Sequence, residues 1–242
     1  MDRPGKKAST LSWLMKLFGV EPPAAGESSK PRLAPEVSLT PPAPNDSPLP
    51  PGRFRTTYER DDATLLRQLQ QVNVYRGIIE EASRRYNFQP AIICGIGSRE
   101  SQWGLSLQPS GPTGRGDFAK RPPKGERRTP EPPDGPGYGR GLMQIDYDWH
   151  EFARTGRWQD PRENVMYSCQ VLDQARKFFQ NADVELTSEQ LLQATVAAYN
   201  GGATATLQAI QAGKDIDANT TGRDYAKEVL NRSGWFQLHG WR

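Results

Sequence analysis

A chain of 242 residues, 35% hydrophobic and 24% charged, is long enough to bury one sizeable core or two small ones. Its formal net charge of +3 is too small for the footprint of a strong nucleic-acid binder, although it suits a weak preference for an anionic polymer. No run of about 18 apolar residues exists to span a membrane, and the only two histidines, His150 and His239, form no Cys/His spacing for a zinc site.

The chain opens with "MDRPGKKASTLSWLMKLFGV", basic residues followed by a short apolar stretch. Lys16 interrupts that stretch and no small-residue cleavage site follows, so it reads poorly as a signal peptide and leaves any route of export open. Two readings stand: a short amphipathic docking helix at 10–19, with Leu11, Leu14, Met15 and Phe18 on one side, or a disordered tail. The prolines are segregated: 11 of the 21 lie in residues 1–60 and 8 in residues 105–140, leaving only Pro90 and Pro161 elsewhere. Residues 1–58 therefore read as a Pro-rich disordered tail. Residues 59–242 read as the folded part, with a Pro/Arg-rich insertion at 108–137.

The helices of the folded part carry their own punctuation. "DDATLLRQLQQV" places Leu65, Leu66, Leu69 and Val72 at helical spacing, and "VYRGIIEEASRRYN" does the same with Tyr75, Ile78, Ile79, Ala82 and Tyr86. "PAIICGIGSRESQW" starts with Pro90, a residue suited to the first helical position. "DPRENVMYSCQVLDQARKFFQ" begins with Asp160 as N-cap, Pro161 behind it and Glu163 placed to close a capping box. "TSEQLLQATVAAYNGG" repeats the arrangement with Thr187 and Gln190, and Gly201-Gly202 stop it. "ATATLQAIQAG" and "GRDYAKEVLNRSGW" complete a mainly α chain. Between Gln108 and Arg140 the sequence is too rich in Pro and Gly for a helix, and "GYGRGLMQID" leaves room for a short strand or hairpin. Cys94 and Cys169 both fall inside helical patterns, where buried free thiols are the default and an interhelical disulfide is the alternative.

One residue breaks the pattern. Ile93, Ile96 and Glu100 share a helical face, so the carboxyl of Glu100 points toward packed protein. Desolvation there would raise its pKa and suit it to general acid work, whereas a salt bridge or an exposed helix end would make it structural. Glycoside hydrolysis by inversion needs such an acid and a second carboxylate that activates water on the opposite face. Asp134 and Asp146 lie on the Gly-rich segment after the helix, and Asp117 in "GRGDFAK" is a third candidate. Gly-flanked aspartates also serve simply as turn formers.

"SRESQWG", "GRGLMQID", "AAYNGG" and "TTGRDYAKEVL" follow in that order, and together they resemble the goose-type lysozymes and, more broadly, the soluble lytic transglycosylase-like families, over roughly residues 60–236. The resemblance implies a lysozyme-like fold: a helical domain with a small irregular or β-hairpin segment at the cleft. It implies a peptidoglycan muramidase cutting the β-1,4 bond between N-acetylmuramic acid and N-acetylglucosamine, with no metal or organic cofactor. Glu100 matches the family's catalytic acid, and Asp146 matches one of two water-positioning aspartates. Asp134 fits the second by its place before the Gly-rich turn, with Asp117 as the alternative. Gln144, His150, Tyr199, Asn200 and Tyr225 match positions lining the sugar cleft. Tyr199 could equally be a core aromatic and Asn200 a helix terminus. Trp103, Trp149 and Trp158 could stack on sugars, although packing is the default for tryptophan.

Two other functions stay open at this point: a lytic transglycosylase, in which the muramic acid 6-hydroxyl attacks and only the glutamate is needed, and a cell-wall binding module without activity. A monomer acting on glycan strands outside the cytoplasm is expected, with the tail free to dock a partner or a surface. Arg115, Lys120, Arg121, Lys124, Arg127, Arg128 and Arg140 make the insertion cationic, suited either to rimming the cleft or to a solvated loop.

Overall fold

A computed structural model of the chain describes residues 52–119, 121 and 131–242. The tail, with the helix expected at 10–19, lies outside the described residues, as do Lys120, Lys124, Arg127 and Arg128 of the insertion. The described chain is mainly helical with a small antiparallel sheet, as the sequence led one to expect. In order, the elements are α1 (Ala63–Val74), α2 (Arg76–Tyr86), α3 (Pro90–Ser101), β1 (Arg115–Gly116), β2 (Gly139–Arg140), β3 (Ile145–Asp146), α4 (Glu151–Thr155), α5 (Pro161–Gln180), α6 (Ser188–Gly201), α7 (Ala203–Gln211) and, after a short 3-10 turn at Thr221–Arg223, α8 (Tyr225–Leu238). No helix among the described residues is long and apolar enough to cross a membrane.

These residues form two compact units. One comprises the described residues up to Val171 together with Glu228–Arg242; the other is Leu172–Lys227. In the first, α3 is the central helix. Pro90 occupies its first turn, and every residue from Ala91 to Ser98 is buried. A helix buried on all sides needs small residues where neighbours cross it. At Gly95 a Cβ would lie 2.4 Å from Ser233 Oγ and 2.6 Å from the Val229 carbonyl, so the close approach of α8 to α3 at this point needs a glycine.

A polar chain threads the same core. Tyr58 donates its hydroxyl proton to Glu228. Arg232 donates to Glu228 (2.8 Å) and to Ser98 Oγ (2.9 Å), and Ser98 Oγ donates to Gln68 Oε1 (2.5 Å). This explains a departure from the sequence pattern in α1. Its buried residues are Leu65, Gln68 and Val72, while Leu66 and Leu69 are half-buried. Ser98 satisfies the buried amide at Oε1, while Nε2 has no hydrogen-bond partner among the described residues.

The segment before α1 is laced to α8. Phe54 N–H donates to Gln237 (3.0 Å), Thr57 N–H to Asn231 (2.8 Å), the Trp235 indole to the Glu59 carbonyl (2.8 Å) and Gln237 to the Gly52 carbonyl (2.8 Å).

Asp160 caps α5 as expected, accepting from the amides of Arg162 and Glu163 at 2.9 and 3.1 Å. The reciprocal half of the expected capping box is absent. The Asp160 amide donates to the Arg157 carbonyl, and the Arg157 guanidinium takes the Glu163 carboxylate (3.0 Å). Trp103 and Trp158 are core residues, whereas Trp149 is 43% exposed. Cys94 and Cys169 are buried and free, with no disulfide between them.

In the second unit, Thr187 and Gln190 form the full capping box on α6. Asp217 is buried in the loop before α8, where its carboxylate accepts from Thr220 Oγ1 and from the amides of Ala226 and Lys227, fixing the start of that helix.

Candidate active site

The C-terminus of α3 carries Glu100 and is tied to the small sheet. The helix ends in two left-handed residues, Gln102 (φ 49°) and Trp103 (φ 55°), whose amides return to the Ser98 and Gly97 carbonyls. The turn swings the Trp103 indole back under the helix, where its N–H reaches the Cys94 carbonyl at 3.0 Å. Ser101 completes the anchor. Its hydroxyl donates to the Leu142 carbonyl at 2.6 Å and accepts from the Gly104 amide at 3.0 Å. The residue next to Glu100 is thus tied to the turn joining β2 and β3. Glu100 itself is half-buried, one turn beyond the fully buried Ile96 and two beyond Ile93.

The sheet sets the register of the aspartates. Gly116 pairs with Gly139, and Gly139 with Asp146. One residue further out, the Tyr138 amide donates to the Asp117 carbonyl (2.9 Å) and the Tyr147 amide to the Tyr138 carbonyl (2.8 Å). Glycines at 116 and 139 make room for Gln144. A Cβ on either would come within 2.1 Å of its Oε1. Gln144 also has a left-handed backbone (φ 48°), and its Nε2 donates to the Gly141 carbonyl at 2.8 Å. Its amide therefore lies folded over the hairpin.

Asp117 and Asp146 meet on one guanidinium. Arg121 donates to both oxygens of Asp146 (2.9 and 2.5 Å), to Asp117 Oδ2 (2.5 Å) and to Asp148 Oδ2 (2.9 Å), with its plane 4.1 Å from the centre of the Tyr138 ring. Burial works against the charge on Arg121, but its hydrogen bonds to Asp146 and Asp117 outweigh it and hold the guanidinium above its ordinary value. Asp146 Oδ1 also accepts from the backbone amides of Asp148 (2.8 Å) and Trp149 (3.3 Å), which locks the carboxylate into the turn after β3.

Asp134 faces other partners. Its Oδ1 accepts from Arg140 at 2.7 Å, its Oδ2 lies 3.4 Å from Arg115, and its backbone carbonyl accepts from Arg115. Arg140 is fully buried, with Nε and Nη1 lacking hydrogen-bond partners among the described residues and with the rings of Tyr147 and Trp158 about it at 5.0 and 5.2 Å. Of the three candidate aspartates, two share Arg121 and the third serves Arg140.

His150 follows in the turn before α4. Its Nδ1 lies 3.1 Å from the Tyr167 hydroxyl, and its amide donates to the Asp146 carbonyl. Burial holds the imidazole below its ordinary pKa, with the negative charge of Asp146 acting the other way. In the second unit, Tyr199 is half-buried, Asn200 is exposed and accepts from the Thr221 amide (2.7 Å), and Tyr225 is buried.

Sequence reasoning counted Arg121 only as one cation of the insertion and passed over Asp148. The one available signal was local: Arg121 stands four residues after Asp117, and Asp148 two after Asp146. Among the described residues no group of three or more His, Cys, Asp or Glu is arranged to hold a metal ion.

A family model described as Lysozyme g matches residues 131–240, a range that contains Asp134, Gln144, Asp146, His150, Tyr199, Asn200 and Tyr225 and begins after Glu100 and Asp117. The chain is 30% identical over 175 residues to lysozyme g of Struthio camelus, covering 72% of each chain. It is 28% identical over 187 residues to lysozyme g of Gallus gallus, covering 77% of this chain and 72% of the relative. A third relative, lysozyme g-like protein 2 of Homo sapiens, is 24% identical over 169 residues, or 70% of this chain and 64% of its own.

Proposed function

The chain belongs to the lysozyme g family and is a glycoside hydrolase, and from that premise we propose that it hydrolyses the β-1,4 bond between N-acetylmuramic acid and N-acetylglucosamine in peptidoglycan with inversion at the anomeric carbon. Glu100 protonates the leaving oxygen. Asp117 and Asp146 hold the water that attacks from the opposite face, the task of the second carboxylate in an inverting glycosidase.

The observation that carries this assignment is the single guanidinium shared by Asp117 and Asp146, at the end of a sheet whose β2–β3 turn is hydrogen-bonded to Ser101. Asp134, the other candidate, already balances the buried charge of Arg140. The family resemblance assigns sugar-binding roles to Gln144, His150, Tyr199, Asn200 and Tyr225. The substrate is the glycan strand of the wall.

The test is clearing of purified cell walls together with product analysis. Glu100→Gln should lower the rate by about 10²-fold or more, the usual contribution of a general acid. Asp117→Asn should fall with it, while Asp134→Asn keeps its rate. Wild-type products should carry free reducing muramic acid ends of inverted anomeric configuration. Products ending in 1,6-anhydro rings would make the chain a transglycosylase, and equal clearing by Glu100→Gln would remove the acid from its role.

A further inference from the structure

The proposed mechanism asks two like-charged carboxylates to sit together and do different work. The hydrogen bonds of the cluster divide that work unequally. Asp146 is held at both oxygens: Oδ2 by Arg121, and Oδ1 by Arg121 and the two backbone amides of Asp148 and Trp149. Asp117 gives only Oδ2 to Arg121, and its Oδ1 carries no hydrogen bond among the described residues. Its side chain is 43% exposed against 28% for Asp146, so Asp117 is also the carboxylate that water reaches more easily. Arg121 is itself fixed by the flat Tyr138 ring and by Asp148, whose side chain is 7% exposed. A guanidinium presents a planar fork that can serve several carboxylate oxygens at set angles, which an ammonium cannot do.

We propose that Arg121 is a positioning residue for hydrolysis: it draws Asp117 and Asp146 together, immobilises Asp146, and leaves Asp117 Oδ1 as the oxygen that accepts the proton of the attacking water. The water O–H breaks as its oxygen bonds the anomeric carbon. The proton goes to Asp117 Oδ1, and the leaving sugar oxygen takes the proton of Glu100, so charge and atoms balance. Asp146 stays ionised and orients the water without taking its proton. This rests on the reading of Asp117 and Asp146 as the water-positioning pair and adds a residue that touches neither substrate nor water.

The experiment measures kcat and KM on soluble glycan-strand fragments for wild type, Arg121→Ala, Arg121→Lys, Asp117→Asn and Glu100→Gln, with thermal melting of each. Arg121→Ala should lose about 10- to 100-fold in kcat, the scale of an ångström of misplacement at the reacting groups, while KM changes less than about threefold. Arg121→Lys should stay well below wild type, because it restores charge without the fork. Guanidinium chloride at tens of millimolar should raise kcat of Arg121→Ala several-fold over the same concentration of sodium chloride and leave Asp117→Asn unchanged. A merely structural role for Arg121 would lower the melting temperature without such rescue, and that result overturns the inference. Wild-type or raised kcat in Arg121→Ala overturns it as well, the second by making the guanidinium a brake. Full activity in Asp117→Asn would fell the underlying aspartate assignment, whereas an inactive Asp117→Asn beside a fully active Arg121→Ala fells this inference alone.

Discussion

Replacing Asp134 by alanine separates the two roles that sequence alone could give this residue. Arg140 is completely buried, and its one side-chain hydrogen bond among the described residues is the 2.7 Å contact to Asp134. Removing the carboxylate leaves a buried guanidinium facing aromatic rings. Breaking a buried pair by deleting one partner costs about 3–5 kcal/mol. Asp134 is 43% exposed, so water takes over part of its duty and solvent screens the pair, which brings the expected loss to about 2 kcal/mol. For a folded part of this size that is a fall of about 4–8 °C in melting temperature. The assay is thermal unfolding beside kcat on soluble glycan fragments, measured well below the transition. The expected result is a lower melting temperature with kcat per folded molecule within about twofold of wild type. Adding Arg140→Met should return most of the stability, since an apolar side chain in that aromatic setting needs no counter-charge. An Asp134→Ala variant that melts like wild type but loses about 10²-fold in kcat would refute the reasoning and make Asp134 a water-positioning residue.

Three further outcomes follow from the packing and the titrating groups. Burial depresses the pKa of His150 below its ordinary value of about 6.5, so the unfolded chain takes up that proton first; the stability it contributes is whole above about pH 6.5 and is lost as pH falls through the folded value. His150→Gln should flatten that part of the curve of melting temperature against pH between about pH 7 and about pH 5. Burial lifts the Cys94 thiol well above its ordinary range and pushes Cys169 up to about 12, so neither should react with an aromatic disulfide in the native protein, and both should titrate at once in denaturant. Gly95→Ala should lower the urea midpoint by the equivalent of about 1–3 kcal/mol with an unchanged slope, because the new methyl meets the Val229 carbonyl and the backbone of α8 must move.

Local signals in the sequence were reliable where the interaction they describe is itself local. Pro90 opens α3, and Thr187 with Gln190 caps α6, because each device closes within four residues. The Gly-rich run before Asp146 announced a strand or hairpin, and β2 and β3 lie there. What escaped is what depends on distant partners. Gln68 reads as polar until Ser98, thirty positions on, supplies its bond. Glu163 has the spacing of a capping box, but Arg157 competes for its carboxylate. The insertion's arginines read as a field for anionic polymer, yet Arg115 and Arg121 spend their charge on the chain's own aspartates. The family resemblance put Asp134 first by its place before the Gly-rich turn, with Asp117 as the alternative, and the hydrogen bonds give the two different partners. The hydrogen bonds of the sheet set Asp117 opposite Tyr138 and within reach of the guanidinium that holds Asp146.

The lacing of residues 52–59 onto α8 has a consequence for how the molecule comes into being. Partners such as Phe54 and Gln237, or Glu59 and Trp235, are separated by more than 170 positions. On a ribosome the early segment must wait, its carbonyls hydrated, until the last helix has emerged. Contacts of such sequence separation slow folding, since a long loop has to close before they form. A chain released short of α8 lacks the helix against which Gly95 and Ser98 are built.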